Sequence, residues 1–206
     1  MKNIFKLTLI LLLLVSCKDA SNATDSKEAK IIESLINEVN GNHVPIDEKY
    51  TKLMKELKTK TLLSDDQLLE AYPKTMGSLS LDTNEARITS SETVIGSFGA
   101  GAIRMEILDA AAKNVMSAII PLKMLELNKV MSENNNTIRY SKKERNGVLT
   151  FGTDRDASVG ADYESEIRFL YDHRFYVTLE GKGMNVDELW DAIQLDDLKQ
   201  FKKFNN

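Results

Sequence analysis

From Ile138 to Glu180 the chain reads as strands joined by turns too short to support anything but antiparallel pairing. Ile138 and Tyr140 share one face of the first strand. Asn146-Gly147 supplies the two left-handed positions of a tight hairpin turn and leads into a second strand over Val148 to Phe151. A third strand runs from about Ala161 to Tyr171, with Tyr163, Ile167, Phe169 and Tyr171 on one side. Asp172-His173 makes the next turn. The fourth strand then alternates, with Phe175, Val177 and Leu179 inward and Arg174, Tyr176, Thr178 and Glu180 outward, until Gly181-Lys182-Gly183 ends it.

Two further strand signals lie upstream. Ala86 to Ile95 is rich in β-branched residues and reads as one strand, with Ile88 and Val94 at even spacing. Ala102 to Leu108 alternates Ile103, Met105 and Ile107 against Arg104 and Glu106. The glycine-rich Gly96-Ser97-Phe98-Gly99-Ala100-Gly101 connects them. Between these strands and the later four, the spacing predicts a long helix from about Asp109 to Ser132. Pro121 should kink or divide it, and Asn134-Asn135-Asn136 should end it. Asn185 and Glu188 form a capping-box pattern ahead of Leu189, Trp190 and Ile193, which predicts a C-terminal helix.

The N-terminal third is helical in pattern. Ile31, Ile32, Leu35, Ile36 and Val39 fall on one face after Asp25 and Glu28. Tyr50, Leu53, Met54 and Leu57 do the same over Asp47 to Lys58. Ser64 and Gln67 form a capping box before Leu68, Leu69 and Ala71, and Pro73 ends that helix. The fold expected is therefore α+β. A largely antiparallel sheet of about six strands packs with a long helix and a C-terminal helix, both on one face, preceded by a helical N-terminal segment. The expected organisation is residues 1–16 as a signal segment, 17–27 as a tether, 28–73 as the helical segment and 74–206 as the α+β domain.

The order of elements is similar to the PsbP-like sandwich folds. Residues 62–204 also resemble a group of uncharacterised bacterial envelope proteins. They share a Pro after a short helix, two strands ending at an Asp, a helix and a last strand of the Arg-Phe-Tyr-Val kind. Here these positions are Pro73, Asp109 and Arg174-Phe175-Tyr176-Val177. That resemblance implies a fold and brings no chemistry.

The N-terminus points to location. Lys2 and Lys6 precede an apolar run from Leu7 to Val15, broken by Thr8 alone, and Ser16 and Cys17 follow. A helix over Ile4 to Val15 would rise only ~18 Å, against a bilayer core of ~30 Å. The run therefore reads as a secretory signal and not as a permanent span. Leu14-Val15-Ser16-Cys17 resembles the lipobox of bacterial lipoprotein precursors. The resemblance implies cleavage between Ser16 and Cys17 and a lipid on Cys17, with tight tethering once two or more acyl chains are present. Lys18 stands where an inner-membrane retention signal of enteric bacteria carries Asp, which points to the outer membrane and leaves its leaflet open. The polar stretch Lys18 to Lys27 reads as the tether.

Composition excludes several functions. A formal charge of −4 gives no electrostatic basis for binding nucleic acid. Cys17 is the one cysteine, so no internal disulfide braces the fold and no thiol nucleophile remains after lipidation. The glycine cluster lacks the Lys-Ser/Thr end of a phosphate loop and leads into a strand, which reads as a relaxed hairpin. Asp154, Asp156, Ser158 and Asp162 place oxygens at alternating positions, as in a calcium loop. The turn glycine is displaced to Gly160, and Ser165 replaces the closing carboxylate, so they are weak metal candidates beside a reading as a solvated turn. His43 and His173 lack a metal-ligand spacing. Lys49, Lys52, Lys55, Lys58 and Lys60 line a helix that either touches anionic lipid or packs its apolar stripe on the sheet. Met105, Met116, Met124 and Met131 read as core filling.

No cofactor is expected. The function expected is a non-catalytic binding or assembly module, anchored to the membrane, with an envelope protein or an apolar ligand as partner. The alternative is an envelope hydrolase with a dispersed site. Convergence of Asp154, Asp156 and His173 in one hollow would favour the alternative.

Overall fold

The computed structural model describes residues 44–83, 86–89, 92–127 and 137–205. Ser16 and Cys17, the tether, the first predicted helix, His43, Met131 and Asn134 to Asn136 lie outside the described residues. Val44–Asn206 forms one compact unit. Among the described residues, no helix is long and apolar enough to cross a membrane.

Seven strands form one sheet in which every neighbouring pair is antiparallel. In spatial order they are β3 (Arg87–Thr89), β4 (Thr93–Phe98), β5 (Ile103–Asp109), β9 (Phe175–Gly181), β8 (Ser165–Tyr171), β7 (Val148–Arg155) and β6 (Ile138–Arg145). A two-stranded ribbon, β1 (Thr75–Met76) and β2 (Leu79–Ser80), stands beside it. The α+β class and the antiparallel sheet are those expected. The strand count differs because Ala86 to Ile95 is a hairpin and not one strand: Thr89 pairs with Thr93, and Glu92 turns the chain at a φ of 53°. Both arms are β-branched and no glycine or proline marks the bend, so the pattern conceals it.

The hairpins of the second half are as expected. Asn146 and Gly147 adopt φ values of 50° and 76°, the left-handed pair required by a two-residue turn. Asp172 and His173 adopt 50° and 56° without a glycine. Asn205 pins that turn, donating from Nδ2 to both the carbonyl and the carboxylate of Asp172 at 2.7 Å.

Alternation along the central strands gives the sheet two apolar faces. Ile103, Met105 and Ile107 of β5, Ile167 and Phe169 of β8, and Phe175, Val177 and Leu179 of β9 point to the first face. There they meet α2 (Asp65–Ala71), the ribbon, α4 (Val186–Ala192) and α5 (Lys199–Lys202). Leu108, Leu149, Phe151, Leu170 and Tyr176 point to the second face and meet α1 (Val44–Lys58) and α3 (Val115–Leu127). The long helix and the C-terminal helix thus cover opposite faces, a correction to the single covered face expected. Tyr176 sits at a position the sequence reading assigned outward, and with Leu108 and Leu170 it gives α3 its own surface. Leu68, Ala71 and Tyr72 share a core with the sheet, so packing continues across residue 73.

Capping begins and ends the helices where the sequence placed them. The Ser64 hydroxyl accepts from Gln67 N, and the Gln67 side chain accepts from Ser64 N. Asn185 and Glu188 exchange the same pair of bonds. The long helix starts later than predicted, because Asp109 ends β5 and a 3₁₀ turn over Ala112–Asn114 intervenes. Pro121 stands inside α3 and does not divide it. The carbonyl deprived of its donor belongs to Ser117, an exposed residue whose backbone water can serve.

Asp109 and Arg174 form a buried ion pair, 0% and 2% exposed. Arg174 donates from Nε and Nη2 to the two carboxylate oxygens, each at 2.7 Å. Its remaining donors reach the carbonyls of Thr61 and Phe204, and Asp109 also accepts from the backbone of Leu63 and Ala111. Removing one member of a buried pair strands the other charge at a cost of about 3–5 kcal/mol. Asp109→Asn is therefore expected to lower the urea midpoint by an equivalent amount, read by circular dichroism.

Candidate functional site

Among the described residues, the sheet's second face is only half covered. α1 and α3 lie over the end carrying Leu108, Leu170 and Tyr176, and past that end the same face is charged. The register places Ser97, Arg104, Glu180, Glu166, Thr153 and Tyr140 side by side across six strands. The next row holds Ile95, Glu106, Thr178, Arg168 and Phe151. Period-two alternation puts both rows on the face opposite the first core.

These charges are half-buried and interlocked. Glu166 is 7% exposed. Arg168 Nε lies 2.6 Å from its Oε1 and Arg155 Nη2 lies 3.1 Å from its Oε2. Arg104 Nε lies 2.6 Å from Glu180 Oε2, out of line for a hydrogen bond, and the guanidinium stands 5.5 Å from the centre of the Tyr163 ring. Glu180 and Glu166 are directly opposed on adjacent strands, a like-charge placement that disfavours ionising both. The Glu180 carboxyl is held above its ordinary value, first by burial and then by Glu166 and Glu106, against the pull of Arg104 and Arg155. Burial likewise raises the Tyr176 hydroxyl, which Arg168 opposes.

Two hollows open along this strip. One, of about 390 Å³, lies between Arg87, Ile95, Ser97 and Arg104 and the turn after β4. The other, of about 310 Å³, lies at the end of α3, with Leu125, Tyr140 and Phe151 as an apolar wall and Arg155, Glu166 and Arg168 as a charged one.

The other sequence candidates disperse. Asp154 accepts from Val186 N at 2.7 Å and so caps α4. Asp156 accepts from Ser158 N at 2.9 Å and opens a 3₁₀ turn that Gly160 closes at a φ of 69°. Asp162 is exposed. Among the described residues, no group of three or more His, Cys, Asp or Glu side chains is placed to hold a metal. His173 is exposed and follows Tyr171 at the end of β8, whereas Asp154 pairs with Ser165 at its start. Six residues of strand separate them, about 20 Å at ~3.3 Å each. Asp154, Asp156 and His173 do not converge.

The glycine cluster does build an anion-holding nest, and the chain fills it. Gly99, Ala100 and Gly101 are all left-handed, at φ 65°, 56° and 80°. The amides of Ala100 and Gly101 donate to the Asp82 carboxylate at 2.7 and 2.8 Å. The apolar stripe of α1 packs on α3, with Tyr50 and Leu57 buried. Tyr50 Oη donates to Glu126 at 2.6 Å and Lys49 pairs with the same carboxylate at 3.0 Å. Burial raises the Glu126 carboxyl, but these two partners outweigh it and leave it below its ordinary value. Lys123, nearly buried, pairs with Asp47. Met105 is core, Met116 is half-buried and Met124 is exposed.

The charged strip was not singled out from the sequence. Its signal was a pair of polar residues two apart on each of three strands: Arg104 and Glu106, Glu166 and Arg168, Thr178 and Glu180. Each reads alone as a solvated strand face, and only the register brings the three together.

Compared with models of protein families, with curated proteins and with solved structures, the chain matches none.

A raised carboxyl stabilises the fold below its unfolded value, and that contribution is lost as pH rises through the folded value. For Glu180 the unfolded reference is 4.5, so ionised Glu180 is a burden at neutral pH. Glu180→Gln is therefore expected to raise the urea midpoint at about pH 8, and its advantage should shrink towards about pH 4. A lower midpoint for the variant at about pH 8 would mean that the Arg104 pair outweighs burial.

Proposed function

We propose that this chain is a lipid-anchored protein of the bacterial cell envelope whose body is a non-catalytic binding module. Cleavage behind Ser16 would leave Cys17 as the acylated N-terminus, and Lys18 favours the outer membrane. The polar residues from Lys18 to Lys27 give the body reach from the lipid surface. The partner is an envelope component taken up on the half-covered face of the sheet.

One observation carries the binding reading. Glu166 is shared by Arg155 and Arg168 in a hollow that Leu125, Tyr140 and Phe151 also line. A sheet face that served only the fold would be covered by helix or lined with separate, solvated charges. Here half-buried guanidinium groups stand beside apolar surface in a concavity, the arrangement by which pockets orient a ligand.

A second reading, an envelope hydrolase, draws on the facing pair Glu166 and Glu180. Two carboxyls facing each other on adjacent strands, one of them raised by burial, are the raw material of general acid–base catalysis. Incubating the chain with peptidoglycan, glycan and ester substrates separates the two readings. Turnover abolished by Glu166→Gln and by Glu180→Gln would favour the hydrolase, and no turnover of these substrates by the parent chain would leave the binding module.

The anchor is tested in cells. Cys17→Ala is expected to move the chain from the membrane pellet to the soluble fraction, and a metabolically incorporated alkyne fatty acid should label the parent and not the variant. Equal labelling of both would overturn the lipid anchor.

A further inference from the structure

We infer that the hollow at the end of α3 is a binding site for a small organic monocarboxylate with an apolar body. The inference rests on the reading of the body as a binding module and names the ligand class for that site.

Charge sets the first condition. The walls carry two guanidinium groups and one carboxylate, leaving an excess of one positive charge in a chain whose net charge is −4. Glu166 is already used: Arg168 takes one of its oxygens and Arg155 the other. A cationic ligand would meet two guanidinium groups against a single carboxylate. Each arginine reaches Glu166 through one nitrogen and carries five N–H groups in all. Both guanidinium groups line the hollow and have more N–H donors than these contacts use. One charge in excess matches a monoanion and would leave a dianion half neutralised.

Shape sets the second condition. Leu125 and Phe151 offer aliphatic and aromatic surface beside the arginines, Phe151 lying directly across from Arg168 in the sheet register, and Tyr140 lines the same hollow. A volume of about 310 Å³ equals roughly ten waters at ~30 Å³ each. That admits a ring with a short carboxylate arm and falls at the lower end of ligand pockets. A neutral polar ligand would desolvate against the apolar wall and leave the arginines unmatched. In the hollow beside Arg87, Arg104 is paired with Glu180 and Asp82 with the turn, and Ile95 is the one large apolar side chain among the lining residues, so it lacks the apolar surface of the other hollow.

The test is calorimetric titration of the intact chain, as purified from cells, with 3-phenylpropionate, 3-phenylpropanol and acetate. Phenylpropionate should bind saturably at one site, at least about tenfold tighter than the alcohol, as expected for charge-assisted hydrogen bonds. Acetate should show no saturable binding. Arg168→Gln and Arg155→Gln should each weaken phenylpropionate about tenfold or more. Arg168 is partly exposed, so its loss should leave the fold intact by circular dichroism. Thr153→Phe, which fills the hollow from its rim, should abolish binding without touching a charge. Equal affinity for the alcohol, no effect of these variants, or no binding of phenylpropionate would each overturn the inference. A chain held in the membrane through Cys17 that ignores phenylpropionate overturns this inference alone. A chain that binds it and is not membrane-held overturns the anchor alone.

Discussion

The buried pair Asp109–Arg174 holds the architecture together, because four parts of the chain end on it. β5 ends at Asp109 and β9 begins one residue after Arg174. The loop before α2 enters through Thr61 and Leu63, and the C-terminal segment enters through Phe204. Ala110 N also donates to the Arg174 carbonyl at 3.1 Å, so the backbones are stitched where the side chains meet. Bringing two charges out of water is costly, and the pair repays that only because nearly every polar atom is matched. Four guanidinium bonds and two backbone amides on the carboxylate supply the matching. The consequence is positional. With the end of β5 fixed, the chain must leave the sheet at Ala110 and cross to its second face, where α3 begins.

That departure decides how much of the second face is covered. α3 starts beside the Asp109 end and runs over Leu108, Leu170, Tyr176 and Phe151, and α1 lies against α3. The rows through Glu106 and Arg104 lie farther along the strands, where the sequence supplies charge in place of apolar cover. The charges meet in adjacent rows, so each is partly desolvated by its neighbours and partly neutralised by them. The result is not a minimum-energy face. Glu166 opposite Glu180 is a placement a structural sheet would avoid. Local rules are broken most often where function bears on the fold. The candidate site is therefore the part of the sheet least well explained by stability alone.

Much of the scaffold was legible because it rests on short-range rules. Asn146-Gly147, the Ser64 and Asn185 caps and the strict alternation of Phe175, Val177 and Leu179 each carry their geometry within a few residues. What could not be read depends on which strands become neighbours. The hairpin at Glu92 has no turn residue to mark it. The double use of β5, β8 and β9, one face for α4 and the other for α3, requires knowing that these strands lie at the centre of the sheet. The candidate site was hidden for the same reason. Arg104, Glu166 and Glu180 are far apart in sequence, and nothing short of the β5–β9–β8 register brings them into one row. The aspartates that looked suggestive as a string were spent locally, one on α4 and one on its own turn.

Asp82 and Glu166 show two ways in which a carboxylate can occupy an anion-binding position. In the turn after β4, two amides close on Asp82 and nothing is left over, so the nest is a structural joint. On the sheet, Glu166 takes a contact from each of two arginines, and both arginines line a cavity. An internal counter-ion of the second kind lowers the cost of holding two guanidinium groups half-buried in the absence of ligand. It also keeps them in place, so less side-chain entropy is lost when a ligand arrives. The same carboxylate limits affinity, since it screens the charge the ligand would meet. Such a site exchanges its occupant readily. Ready exchange is what the proposed tethered binding module would need, and retention of a tightly held group is not.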